Sequence, residues 1–507
     1  MLSYVFEVEF GSNKMKVLII NPPDGNTVVE HPDEKGIQFL EGDDFGDFPP
    51  LGAVYVLSYL EKQCPHHELF FIDCVGEKAS HQQLRKKIAE IRPDIVGITS
   101  FTISMVDVCE AARTVRKVVP QAHICLGGHH PIAWPFQAAQ IPEFDSIVVG
   151  EGEIAFTELV TAIEGKKSFT DILGVYTKES IEKLRGEPIR DNRFLSKVIV
   201  PPAYIEDVDS LPIPNRKFIR HIKYHNILGV TGNLATILSS RGCPYLCTFC
   251  DVPYKRYRPR DNDLVLDEVE QCMAMGYEEF RFYDDLFNIN HHKVMEFCEA
   301  IERRNLKFAW DFRGRVNGVT RESLARAKQN GLRMIAFGVE TGSDEGLKIL
   351  KKATTTEKIE KAFRWCRELG ILTVADYIIG HSFEKSKTDI RRNIDFLVKL
   401  DPDYAQISIL TLYAGTALFD EAVAAGLVSR EKWENWAMNP TPGLIADHWV
   451  EHVSLAELVN EQKRAYRKFY FRPKYIFRSA IKTRSLYELS SKVSGAFMLL
   501  NTNRRAA

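Results

Sequence analysis

Three cysteines within eight residues, in Arg241-Gly-Cys243-Pro-Tyr-Leu-Cys247-Thr-Phe-Cys250, constrain this chain more than any other feature. They follow an apolar run, ATILSS (235–240), that reads as a buried strand. Spacings of four and three put all three thiolates on one tight loop, and converging thiolates suit a soft metal centre. A closed zinc site needs a fourth protein ligand. None stands nearby: Cys272 is alone on a predicted helix and His225 lies in an irregular stretch. A four-iron cluster on three thiolates leaves one iron open to a substrate or cofactor. The other seven of the ten cysteines are scattered singly and read as small buried hydrophobes rather than a disulfide framework.

The loop sits inside a long alternation of strand and helix signals. Before it come KVLIINPP (16–23), ELFFIDCV (68–75), DIVGITS (94–100), HICLGG (123–128) and SIVVGEGE (146–153), apolar runs closed by turn residues. Helical spacing lies between them, as in LGAVYVLSYLEK (51–62). Five such units predict an α/β domain over 15–160 with a doubly wound parallel sheet. Its ligands would bind beyond the carboxyl ends of the strands, at Pro22–Pro23, Ser100–Thr102, Gly127–Pro131 and Gly150–Glu153. Residues 161–230 contain PPAYIEDVDSLPIPNRKF (201–218), too rich in Pro and Asp for a long element, and read as a connector. From 231 to 420, strands at 235–240, 279–284, 307–312, 334–340, 371–380 and 404–410 predict an open, partial (β/α)6 version of the eightfold barrel, with active residues at strand ends. Residues 421–507 read as a helical, basic C-terminal region. Met15 directly precedes the first strand, so the start at Met1 or Met15 stays open.

Charge and hydropathy narrow the function classes. A net charge of −2 excludes a nucleic-acid binder by bulk charge. No run of 18 apolar residues spans a membrane, and the first residues lack a secretory signal, which predicts a cytoplasmic location. From Lys463 to the end, twelve Lys/Arg face one acid, Glu488, with Tyr466, Phe469, Tyr470, Phe471, Tyr475 and Phe477 interleaved. That pattern reads first as a solvated helical cap, next, over 463–507, as a peripheral patch for an anionic membrane surface or an acidic apolar substrate, and last as a local nucleic-acid contact.

The CxxxCxxC loop after a first barrel strand, with Phe249 before its last cysteine, resembles the radical S-adenosylmethionine (SAM) superfamily. The resemblance implies a [4Fe–4S] cluster on Cys243, Cys247 and Cys250, with SAM chelated at the open iron and cleaved reductively to a 5′-deoxyadenosyl radical. It places Asp284 and Asp285, in Phe282-Tyr-Asp-Asp-Leu-Phe287, near the SAM amino end. Arg315 would pair a carboxylate. Glu340-Thr-Gly-Ser343 matches the family's G-V-E-S/T-G-S segment. Gly380-His381-Ser382 stands where relatives have G-x-P-G, and Leu412-Tyr413-Ala414-Gly415-Thr416 resembles P-Y-P-G-T. Phe249, Asp284, Arg315, Glu340 and Ser343 are thus expected cofactor contacts, and Asp285, Tyr413 and His381 expected catalytic groups. Plainer roles stand beside these: helix capping for the aspartates, surface ion pairing for Arg315, a structural carboxylate at Glu340, and loop hydrogen bonding for His129, His130 and His381.

A parallel sheet ahead of such a barrel resembles the cobalamin-binding subclass. Its S-x-T/L and G-G segments match Ser100-Phe101-Thr102 and Gly127-Gly128. Glycines let a flat dimethylbenzimidazole approach the backbone, and hydroxyls bond its polar edge. The D-x-H-x-x-G motif, whose histidine binds cobalt in many relatives, is absent: Asn21-Pro-Pro-Asp-Gly25 follows the first strand. The resemblance implies a cobalamin-dependent radical SAM methyltransferase acting on an unactivated carbon of an apolar substrate, such as a tetrapyrrole side chain or a lipid. A flavodoxin- or ferredoxin-type donor would supply electrons. A non-methylating enzyme of the same build, similar to the anaerobic tetrapyrrole cyclase, and a non-catalytic cobalamin- or metal-binding protein are the alternatives.

Overall fold

The structure, a computed structural model, describes residues 14–26, 28, 48–186, 200–224, 228–229 and 233–482. Its first sheet contains β1 (Lys16–Asn21), β2 (Glu68–Asp73), β3 (Ile95–Ile98), β4 (His123–Leu126), β5 (Ser146–Val148) and β6 (Val175–Tyr176), in the spatial order β2-β1-β3-β4-β5-β6. β1 to β5 are parallel and β6 runs antiparallel to β5. The apolar runs are continuous because both faces are covered. Val17 and Ile19 pack with helices 51–63 and 152–164, while Leu18 and Ile20 pack with helices 81–91 and 105–118. Strand order reverses between β1 and β3, where ligands of such sheets bind. Residues 161–230, read as a connector, supply β6 and then fold back, with Ala203 bridged to Gly150 at the end of β5.

The chain then forms β7 (Leu234–Ile237), a short antiparallel ladder of β8 (Ser240–Arg241) and β9 (Arg258–Pro259), and β10 (Glu279–Phe282), β11 (Ala309–Gly314), β12 (Leu332–Glu340), β13 (Leu372–Ile379) and β14 (Tyr404–Ile409). Apart from the ladder these strands pair in parallel in chain order, with a helix in each crossover; β7 and β14 are the two edges. This is an open six-unit barrel.

The free edge at β14 has unpaired backbone groups that must be satisfied. Helix 455–470 does this with side chains. Tyr466 Oη accepts from Ile407 N–H at 2.9 Å and Tyr470 Oη from Ala405 N–H at 3.0 Å, while Gln462 Nε2 donates to Ile407 O at 2.9 Å. The aromatic residues of the basic tail are therefore largely structural as far as Tyr475, which is also buried. Helix 473–482 leaves Ile476, Phe477 and Ile481 exposed. The rest of the tail lies outside the described residues. Among those, no helix is long and apolar enough to cross a membrane.

Two of the contacts that join the halves are extensive. Trp134 and Phe136 of the first half share one apolar core with Leu418, Phe419, Trp433 and Trp436, which follow β14. The second contact is ionic. Buried Glu151, just past β5, receives both terminal nitrogens of Arg258, at 2.8 and 3.0 Å, and Arg241 Nη1 at 3.1 Å, while Arg241 Nη2 reaches Glu153 at 2.5 Å. Ile205 N–H donates to the same Glu151 carboxylate at 2.7 Å. Stripping one partner from a buried ion pair leaves an unpaired charge and costs about 3–5 kcal/mol. Glu151→Ala is expected to lose stability on that scale, seen as a lower urea midpoint, and to lose more than Glu153→Ala.

Candidate active site

The expected functional residues gather where the barrel strands end and face the ends of β3 and β4. The ladder of β8 and β9 closes the neck of the loop that carries the cysteines. Its turn requires Gly242: φ is +81°, and a Cβ there would lie 2.3 Å from Arg256 O. Cys243 N–H donates to Tyr254 O at 3.0 Å, Thr248 N–H to Leu350 O at 3.2 Å, and Leu418 N–H to Thr248 O at 2.9 Å. The loop is thereby tied to itself, to the segment beyond β12 and to the segment beyond β14. All three thiols are free and half-buried. Burial raises Cys243 and pushes Cys250 up to about 11, so both keep their protons until a cation displaces them.

Arg315, just past β11, is buried against this loop. Its guanidinium lies 3.8 Å over the Tyr245 ring and Nη1 donates to Cys247 Sγ at 3.3 Å. Nε and Nη2 are buried with no partner, so surface ion pairing does not account for this arginine. The aspartates do not cap helix 291–303, which Asn290 caps. Asp284 instead accepts from Ser239 N–H at 2.6 Å, Ser239 Oγ at 2.5 Å and Ser240 N–H at 3.2 Å, and burial pushes it up to about 6. Asp285 accepts from Gly242 N–H at 2.8 Å. Both aspartates brace the strand-to-loop turn that leads into the cysteines.

Glu340 ends β12 at a φ of +64°, and its carboxylate takes Lys352 Nζ at 2.5 Å. Lys352 Nζ stands 5.6 Å from the Phe249 ring centroid, linking this pair to the cysteine loop. Ser343 Oγ accepts from Gly346 N–H at 3.1 Å as a helix cap. His381 is buried and stacked on Phe383; neither ring nitrogen has a hydrogen-bond partner, and burial lowers its pKa to about 4. Tyr413 is partly exposed.

Opposite lies a backbone ledge. Ser100 Oγ donates to Gly127 O at 2.7 Å, and Ser100 O accepts from His129 N–H at 2.6 Å. Gly128 has φ +91° and ψ −157°, a region essentially closed to other residues, and a Cβ on it would lie 2.5 Å from Ser100 N and O. A Cβ on Gly127 would meet open space. Thr102 Oγ1 lies 3.2 Å from Nδ1 of His130, which burial lowers to about 3 and keeps neutral. Both ledge hydroxyls are thus bonded within the chain, and the open surface is backbone. Phe101, 60% exposed, stacks on His129, whose Nδ1 lies 3.6 Å from the Asp251 carboxylate. Asp251 directly follows Cys250, so ledge and thiol loop meet.

Residues 237–412 match the model of the radical SAM superfamily, and residues 43–160 that of the B12 binding domain. The chain thus carries a radical SAM domain behind a B12-binding domain. It is 29% identical over 470 residues to an uncharacterized methyltransferase of Pyrococcus horikoshii, covering 92% of this chain and 94% of that protein. It is 32% identical over 385 residues to the anaerobic magnesium-protoporphyrin IX monomethyl ester cyclase of Cereibacter sphaeroides, covering 74% of this chain but 60% of the cyclase. The fold matches the cobalamin-dependent SAM radical enzyme OxsB, solved with aqua-cobalamin and SAM, at a TM-score of 0.67 and 17% identity, over 96% of this chain and 72% of that one.

The cofactors of this radical SAM enzyme are a [4Fe–4S] cluster, SAM and cobalamin, and the residues fit them. A single zinc ion would draw its sulfurs to about 3.8 Å apart, given Zn–S bonds near 2.3 Å. Among the described residues, the one set of three ligand atoms close enough to share an ion is His66, His67 and Glu164, not the cysteines. Thiolates that each take a different iron stand farther apart. The ledge suits a flat ligand because Gly127 is open and Gly128 is pressed onto Ser100. Sequence reasoning missed Lys352, Tyr245 and the Asp251–His129 contact. No local pattern marks them, because each partner lies far along the chain. Gly128→Ala is expected to lower the melting temperature through strain of about 1–3 kcal/mol, whereas Gly127→Ala melts like the wild type; thermal unfolding of the two checks this.

Proposed function

We propose that this enzyme is a cobalamin-dependent methyltransferase that places a methyl group on an unactivated carbon of an apolar substrate. The observation that carries the reading is the meeting of the two surfaces at His129 and Asp251, one residue beyond Cys250. A substrate held there would be within reach of both cofactors. When bound, the cluster and SAM supply hydrogen abstraction and cobalamin supplies the methyl group.

The chain's own residues bind, orient and exclude water. Cys243, Cys247 and Cys250 would hold the cluster as thiolates. Arg315 steadies Cys247 and has unused N–H groups for the SAM carboxylate. Phe249, Asp284, Glu340 and Ser343 shape the same pocket; Asp284 and the Glu340–Lys352 pair do so by fixing backbone rather than by offering free side chains. His381, neutral and buried beside Glu340, is a positioning residue. Asp285 and Tyr413 are the side chains proposed to meet substrate. Gly127 and Gly128, propped by Ser100 and Thr102, would receive cobalamin through backbone. Exposed Phe101 and Leu246 give the cleft an apolar lining.

A tetrapyrrole side chain or a lipid suits such a lining, and the cyclase relative is named for a tetrapyrrole, magnesium-protoporphyrin IX monomethyl ester. That relative also supports a second reading, oxidative cyclisation without methylation. A flavodoxin- or ferredoxin-type donor would deliver electrons at the exposed side of the cysteine loop. Helix 473–482, with Phe477, Ile481 and Lys474 exposed, is the part of the tail available for peripheral contact with an anionic membrane.

The test is anaerobic reconstitution with iron, sulfide and hydroxocobalamin, then desalting. About four irons and one cobalamin per chain are expected. With SAM, reductant and a panel of apolar acceptors, the product should gain one methyl group beside 5′-deoxyadenosine. Cys247→Ala should lose iron and 5′-deoxyadenosine but keep cobalamin. Iron without retained cobalamin would overturn methyl transfer, and a product that loses hydrogen without gaining carbon would favour cyclisation.

A further inference from the structure

We propose that His66, His67 and Glu164 form a binding site for a divalent transition-metal ion such as Zn²⁺, separate from the cofactor cleft. The two histidines occupy the turn between helix 51–63 and β2, and Glu164 is the last residue of helix 152–164. That turn lies at the amino ends of the strands. The ledge lies at their carboxyl ends, so the two sites are on opposite ends of one sheet.

Both imidazoles converge on one carboxylate. His66 Nε2 is 3.0 Å from Glu164 Oε1 and His67 Nε2 is 3.7 Å from Glu164 Oε2; the ligand atoms of all three residues lie within 4.8 Å of one another. The decisive group is His67. Its side chain is fully buried, and Nε2 points into the cluster with no hydrogen-bond partner, since 3.7 Å is too long for one. A buried polar nitrogen without a partner is costly unless something fills the gap. Two imidazoles and one carboxylate suit a borderline cation and leave a coordination position for water. His66, about one-third exposed, gives the ion a way in from solvent. Ligation through Nε2 puts the His67 proton on Nδ1, at the expense of a weak 3.4 Å contact from Met15 N–H.

Such an ion would staple two helices at the end of the sheet away from chemistry. One of them, helix 152–164, begins next to Glu151 of the ionic clamp. The inference does not depend on the proposed reaction.

The test uses the full-length, cluster-loaded enzyme, so that the three thiolates are occupied. After chelator washing, Zn²⁺ is titrated against a chromophoric chelator, with iron measured before and after. One Zn²⁺ per chain is expected. Glu164→Gln and His67→Asn should weaken binding at least tenfold without loss of iron. His66→Asn, on the more exposed ring, should do the same without disturbing the buried packing, which guards against a folding artefact in the other two. Zinc-edge absorption should show nitrogen and oxygen neighbours only. No retained zinc, equal retention in all three variants, or sulfur in the zinc shell would each overturn the site.

Discussion

One buried carboxylate, Glu151, fixes how the halves of this protein face each other. Moving a carboxylate and two guanidinium groups out of water costs several kcal/mol per ion, and only close, well-directed pairing offsets it. The pairing here is of that kind, with Arg258 bidentate, Arg241 shared with Glu153, and the Ile205 amide filling another lone pair. Arg241 and Arg258 are opposite each other in the ladder at the neck of the cysteine loop. The carboxylate just past β5 therefore holds the base of that loop. Any loosening of the clamp moves the thiols relative to the glycine ledge. The methyl transfer proposed above, which would draw on two cofactors at one substrate carbon, depends on that distance.

Burial governs the chemistry of the cleft. Cys243, Cys250, Asp284 and His381 are shifted toward their neutral forms, because an ion in a poorly solvated pocket lacks the water that would stabilise it. Arg315 is the exception: a permanent cation placed against Cys247, with donors to spare. Loading the pocket exchanges protons for a metal centre, so occupancy and protonation are linked. The apolar seam of Trp134, Phe136, Phe419 and Trp436 keeps the two halves together behind the ionic contact, as a shared core rather than a hinge.

Much of the fold was legible in the chain. Runs such as Val17–Ile20 and Ile95–Ile98 carry no polar side chain because parallel strands are covered on both faces. β6 escaped notice because two residues, Val175 and Tyr176, carry no period to detect. The aromatic tail was visible as composition, but its meaning was not. Only the sheet shows that Tyr466 and Tyr470 satisfy the β14 edge while Phe477 is left outside. The strand-end segment Gly150–Glu153 read as a ligand position. In the fold, its two glutamates are instead committed to arginines.

The sequence by itself determined what covalent spacing determines. It put three thiols on one loop, glycines where φ must be positive, and apolar runs where strands lie between helices. Tertiary structure alone decided the partners. Glu151 finds Arg258 across 107 residues, and His66 finds Glu164 across 98. Local geometry acts over a few bonds and repeats wherever its residues occur. The choice of a charge's counter-ion depends on which distant surfaces packing brings together and dries, and no short stretch of chain contains that information.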